Sequence, residues 1–228
     1  MAMCIDEVKI PRYSLAEELL NSISHGLGAI FGIVALVLML IKTIPTGDPF
    51  AIVSSIIYGL SLIILFTISC VYHALAKNKA KKVLRILDHD VIYILISGTY
   101  TPYMLVALRP YNVWNLGIGV VAYTMFAFVW ACCIVGAVFN TIDIHKYRIL
   151  SMICYLLSGW TVISALFVLW NIITAAGVLL LLSGGIVYTI GAVLYAIGAK
   201  KKYFHSLFHL FVLIGAVLMF ISVYCFVL

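Results

Sequence analysis

The chain has 228 residues, 65% of them hydrophobic and 10% charged, with a mean hydropathy of +1.21 and a formal net charge of +6. A soluble domain is about half apolar and a quarter charged, so a soluble fold is excluded. Long Leu/Ile/Val runs recur near the ~20 residues a helix needs to cross a bilayer, which implies an all-α polytopic membrane bundle and excludes an alternating β-barrel.

The N-terminal stretch MAMCIDEVKIPRYSLAEELL is polar, and the first apolar run starts only after His25. A cleavable signal peptide is therefore not expected. Ser14 and Glu17 form a capping box, so a helix should begin at Leu15. Residues 13–24 read as a cytoplasmic amphipathic lead-in helix on which Glu18, Asn21 and His25 form one polar stripe. That stripe either backs a site in the bundle or is simply solvated.

Seven apolar spans follow, at 25–42, 51–73, 88–107, 113–138, 148–168, 173–198 and 205–228. The pieces TIPTGDP, AKNKAKKVLRI, RPYN, NTIDIHK, WN and AKKKY separate them. Pro45, Gly47 and Pro49 mark one tight turn and Pro110 another. Cys4, Cys70, Cys132, Cys133, Cys154 and Cys225 show no C-x-x-C spacing and sit mostly in apolar runs, so neither a disulfide framework nor a cysteine zinc site is expected. No repeat or soluble domain is visible, and residues 1–228 read as a single seven-helix membrane domain.

Basic residues set the expected orientation. With seven spans, Lys9, Arg12, Lys77, Lys79, Lys81, Lys82, Arg85, Lys146, Arg148, Lys200, Lys201 and Lys202 share one side, against Lys42 and Arg109 on the other. Positive residues favour the cytoplasm, so the N-terminus is expected inside and the C-terminus outside, in the cell membrane. The same cations meet anionic lipid and do not suggest nucleic acid.

Ionisable groups at span ends are costly in hydrocarbon and mark candidate functional sites. His25 opens span one, His73 closes span two, Asp88 opens span three, and His205 and His209 open span seven, all at the expected cytoplasmic end. His205 and His209, at i and i+4, project from one helical face and can share a metal. Adding His73 gives three imidazoles, and zinc with three protein nitrogens and an open position is the catalytic pattern. Ser69 and His73 share a face at the same spacing. Ser69 is positioned to steady an oxyanion or to bond its own helix carbonyl, and Asp88 to accept a proton, to cap span three, or both. His89 and Asp90 point to other faces and read as interfacial.

These residues resemble a known pattern. Glu18-Leu-Leu-Asn21-Ser-Ile-Ser24-His25, then Ser69, His73 and Asp88, then His205 and His209, together with Gly-Thr-Tyr-Thr-Pro at 98–102, are similar to the hemolysin III branch of the progestin and adipoQ receptor superfamily, which includes the adiponectin receptors. The resemblance implies seven helices with a cytoplasmic N-terminus and zinc held by His73, His205 and His209. It further implies that Asp88 holds zinc-bound water with Ser69 beside it, and that the chemistry is that of ceramide amide hydrolysis. The long N-terminal extension of the receptors is missing here, which argues against hormone signalling.

The expected function is a zinc-dependent hydrolase of membrane lipid amides. Asp88 and Ser69 would be catalytic, Glu18, Asn21 and His25 would support the ligands, and membrane lipids would be the partners. Gly98, Gly159, Gly184 and Gly185 would either leave space for an acyl chain or serve close helix packing. A non-enzymatic membrane protein that senses or adjusts lipid packing, with zinc as a staple between spans two and seven, is the alternative; Asp88 directly on the metal would be its sign. Direct cytolysis fits poorly, because so apolar a chain has neither a soluble form nor a polar lumen. Imidazole sites also take iron, copper or nickel.

Overall fold

A computed structural model describes residues 4–198 and 201–228; Lys200, counted above among the orienting cations, lies outside them. Among the described residues there is no strand. Seven helical stretches are long and apolar enough to cross a membrane, as the sequence led us to expect, and the chain is a multi-pass integral membrane protein.

Helix α1 (Leu15–Thr43) starts where the capping box places it. Glu17 Oε2 accepts the Ser14 N–H at 2.9 Å, and Ser14 Oγ accepts the Glu17 N–H at 3.4 Å, satisfying donors that a helix start leaves unpaired. Residues 15–24 are the first turns of α1 itself and run without a break into the membrane span. Gly47, at φ +66°, reverses the chain, and Asp48 caps α2 (Pro49–Ala74) by accepting the Phe50 N–H at 3.0 Å.

Helix α3 (Lys79–Pro102) begins well before the expected boundary. Its cap is Asn78, whose side chain accepts the Lys81 N–H at 2.8 Å, so Asp88 lies more than two turns inside the helix and does not cap it. The physical reason is that the polar run KAKKVLRI consists largely of strong helix formers and extends the helix past its apolar part. Beyond Pro102 the chain continues as a π-helical turn, Tyr103–Leu108, with the Tyr103 N–H bonded to the Tyr100 carbonyl.

Helix α4 (Val120–Ile142) starts later than expected, because Asn112 and Ile118 form a short β-bridge around a turn in which Trp114 and Asn115 take positive φ. Helix α5 (Arg148–Trp160), a 3-10 turn and α6 (Leu166–Ile172) together make the fifth span. Trp170 and Asn171, expected as a link, therefore lie inside a helix. The chain turns instead at Thr174, at φ +63°, into α7 (Thr174–Gly198). Helix α8 (Phe204–Ser222) completes the bundle.

Spans adjacent in sequence pack side by side, and α1 closes the ring against α8. Helix α3 sits innermost: 78% of its apolar window is buried, against 22–50% for the other spans. Gly28 and Gly32 of α1 leave no room for a Cβ against Phe66 and Ile63 of α2, the close approach that drives helix pairing in lipid. One end of the bundle gathers the N-terminal segment and three inter-helix links. There Lys82 Nζ donates to the Asp6 carbonyl at 2.7 Å, the Lys9 N–H to His145 Nε2 at 3.4 Å, and the Tyr203 N–H to Glu17 Oε1 at 2.8 Å. This is the lysine-rich end.

Candidate metal centre and adjoining cavity

His73 occupies the last turn of α2, and His205 and His209 the first turns of α8. All three are buried, and one ligand atom from each lies within 4.8 Å of the other two. His205 Nε2 and His209 Nε2 are 3.0 Å apart. Two nitrogens each about 2.1 Å from a tetrahedral zinc would stand roughly 3.4 Å apart, so the spacing suits such an ion with small adjustment. Among the described residues this potential ligand group contains the three imidazoles and no carboxylate.

The partners behind the ligands come mainly from α1. Glu18 Oε2 lies 2.6 Å from His73 Nδ1, and Asn21 Nδ2 lies 3.3 Å from the same nitrogen. With Nδ1–H donating to a carboxylate, His73 presents Nε2 as its lone-pair atom, and that Nε2 is buried with no hydrogen-bond partner. An orphaned imidazole nitrogen beside two others is what a metal-binding histidine looks like, so the residues fit zinc. His209 Nδ1 lies 2.9 Å from His25 Nε2, and the His25 ring meets Phe66 edge-on at 5.0 Å. Tyr13 stacks on His205 at 4.7 Å with the rings 10° from parallel. Burial, then the nearby Tyr195, pushes the Tyr13 phenol above its ordinary range, so it stays neutral against the imidazole.

Ser69 lies one turn before His73, and its Oγ is buried without a hydrogen-bond partner. Asp88, half-buried on α3, lines a cavity of about 780 Å³ together with Ser69, His205 and His209. Arg12, Arg148, Lys201 and Lys202 also line that cavity, as do apolar residues such as Leu95, Ile96, Trp160 and Met219. Of the four glycines considered, Gly159 and Gly185 line it, and a Cβ on Gly159 would meet nothing within 4 Å. Gly98 and Gly184 instead pack tightly against Ser61 and Met219.

His89 and Asp90, read as interfacial, bond to neighbouring helices. The His89 carbonyl accepts the Tyr155 hydroxyl at 2.9 Å, and its Nε2 lies 3.4 Å from the Tyr195 hydroxyl. Asp90 accepts Asn140 Nδ2 and Thr141 Oγ1, each at 2.7 Å.

Sequence reasoning missed Tyr13, the second role of Glu17 as acceptor for Tyr203, and Lys81. Lys81 is 2% exposed and donates to Glu18 Oε1 at 2.7 Å. It sits in a lysine run that reads as an orientation signal, and nothing in its spacing distinguishes it from its neighbours.

Residues 13–220 match a family model described as haemolysin-III related. "Hemolysin-3" of Bacillus cereus is 37% identical over 212 residues, which cover 93% of this chain and 92% of that protein. "Hemolysin-3 homolog" of Bacillus subtilis is 36% identical over 215 residues, covering 93% and 96%. The human "Monocyte to macrophage differentiation factor" is 27% identical over 165 residues, covering 70% of this chain and 64% of that protein.

Proposed function

The chain belongs to the haemolysin-III-related family, and from that premise we propose that it is a zinc-dependent hydrolase of membrane lipid amides of the ceramide kind. The observation that carries the metal part is the buried, unpartnered His73 Nε2 within reach of His205 and His209. By the positive-inside bias, the lysine-rich end that holds them faces the cytoplasm.

His73, His205 and His209 would hold the ion, which would supply Lewis acidity and make a nearby water easier to deprotonate at neutral pH. Asp88, facing the same cavity, takes the proton of the attacking water on its carboxylate and returns it to the leaving amine. Ser69 Oγ, with no partner of its own, donates to the oxyanion that forms on the amide carbonyl. Glu18 and His25 hold the rings of His73 and His209 in place. The apolar part of the cavity takes the acyl chain, and its volume lies within the range of ordinary ligand pockets.

The test is release of fatty acid from a short-chain ceramide by the purified, zinc-loaded chain, read by mass spectrometry beside Asp88→Ala. Release by the wild type, lost in the variant, is expected. A zinc-loaded wild type that releases no more than Asp88→Ala across a panel of lipid amides would overturn the hydrolase reading.

A further inference from the structure

We infer that Lys81 is a positioning residue for the metal centre, acting through Glu18 on the ring of His73. The inference rests on the metal reading given above. Three lysines open α3, and they are not alike. The side chain of Lys79 is 79% exposed and that of Lys82 24%, whereas that of Lys81 is 2% exposed. A buried ammonium in the first turn of a helix carries two costs, desolvation and the unfavourable end of the helix dipole. Something specific must offset both.

Three partners surround it. Lys81 Nζ donates to Glu18 Oε1 at 2.7 Å and to the carbonyl of Leu75 at 2.8 Å, and it lies 5.2 Å from the centre of the Tyr72 ring. Leu75 caps the C-terminus of α2, so its carbonyl is one that the helix leaves open, at the negative end of the α2 dipole. Tyr72 and Leu75 bracket His73 in sequence. Lys81 therefore grips the turn that carries the ligand and also the carboxylate that orients it.

The two oxygens of Glu18 go separate ways, Oε1 to Lys81 and Oε2 to His73 Nδ1 at 2.6 Å. A carboxylate pinned at one oxygen cannot rotate, so its second oxygen fixes the imidazole plane and leaves Nε2 as the atom that meets the ion. Without Lys81, Glu18 has a route away from His73, since its side chain is 17% exposed. Partners behind a metal-bound histidine are typically worth about 10–100-fold in metal affinity.

The test is a double-variant cycle on the full chain in detergent, stripped of metal and titrated with zinc against a chromogenic chelator. Lys81→Met should weaken zinc binding about 10–100-fold, and Lys81→Arg, which keeps the charge, should weaken it less. In a Glu18→Gln background, Lys81→Met should add little, because the residue it acts through is already gone. A loss of equal size in both backgrounds would mean that Lys81 merely supports the fold, and unchanged affinity in Lys81→Met would also overturn the inference. Should Lys81→Met fail to fold, Lys81→Gln is read in the same cycle against the same outcomes. Failure of the metal reading looks different: the wild type would then bind no zinc at all.

Discussion

The two ends of the bundle are built from the same apolar helices but differ in which polar groups they tie together. At the end away from the lysine-rich loops, the cross-helix ties run through hydroxyls and one lysine: Tyr103 donates to Ser222 Oγ at 2.7 Å, Ser222 to the Gly177 carbonyl at 2.8 Å, and Lys42 Nζ to the Tyr224 carbonyl at 2.6 Å. Other hydroxyls there bond backbone carbonyls of their own helix. Thr43 Oγ1 donates to the Met39 carbonyl and Ser55 Oγ to the Ala51 carbonyl, each at 2.8 Å. Among the described residues the ion pair there, Arg109 with Asp48, is loose at 3.8 Å. At the lysine-rich end, side chains reach across helices: α1 holds His73 of α2 through Glu18, α1 holds His209 of α8 through His25, and α3 holds α1 through Lys81. A hydroxyl can be satisfied by the nearest carbonyl, but an imidazole or ammonium taken out of water needs a partner from elsewhere in the fold. What sets the lysine-rich end apart is that its cross-helix bonds gather imidazoles, a carboxylate and an ammonium around one point.

Substitutions at the two ends should differ accordingly. The largest effect is expected from His209→Ala, which should reduce metal from about one ion per chain to background, because two imidazoles alone hold zinc poorly. Elemental analysis reads it. Asp88→Ala should keep the metal and lower turnover of a lipid amide by about 10²–10⁴-fold, the usual worth of a general acid–base. Loss of metal as well would move Asp88 into the ligand set and make the centre a structural one. Gly159→Phe comes next. A Cβ there meets open space, so the fold should tolerate the ring while the cavity narrows, with kcat/KM for long acyl chains falling roughly tenfold or more. Short-chain substrates should be spared, and equal loss for both would show that the acyl chain lies elsewhere. At the opposite end, Arg109→Ala removes a loose ion pair with Asp48, the Nε bond to the Leu105 carbonyl and the stacking on Phe50, so stability should fall by about 1–2 kcal/mol, with zinc affinity unchanged.

The sequence reveals the bundle because hydrophobic length is a coarse signal that survives errors of several residues at each boundary. It reveals the three histidines because i, i+4 spacing and shared depth need only a span count. Other features depend on where a helix starts. The polar run before Asp88 looks like a loop by composition but folds as helix, so Asp88 is not a cap, and the bonds of His89 and Asp90 to α4, α5 and α7 depend on tertiary packing that periodicity does not encode. Lys81 was invisible for a related reason. Its burial arises from the meeting of α1, the end of α2 and the start of α3, and no single-chain periodicity encodes such a meeting. Tyr13 lies in a segment with no period at all, yet it stacks on a candidate ligand.

The most direct test of the account is the metal content of the detergent-purified chain, with His209→Ala and Asp88→Ala measured beside it. The account predicts about one zinc per wild-type chain, retained in Asp88→Ala and absent from His209→Ala, as a three-histidine site with an open position requires. A wild-type chain that carries no metal and takes up none on zinc addition would contradict it, leaving the buried imidazoles as polar ties between helices.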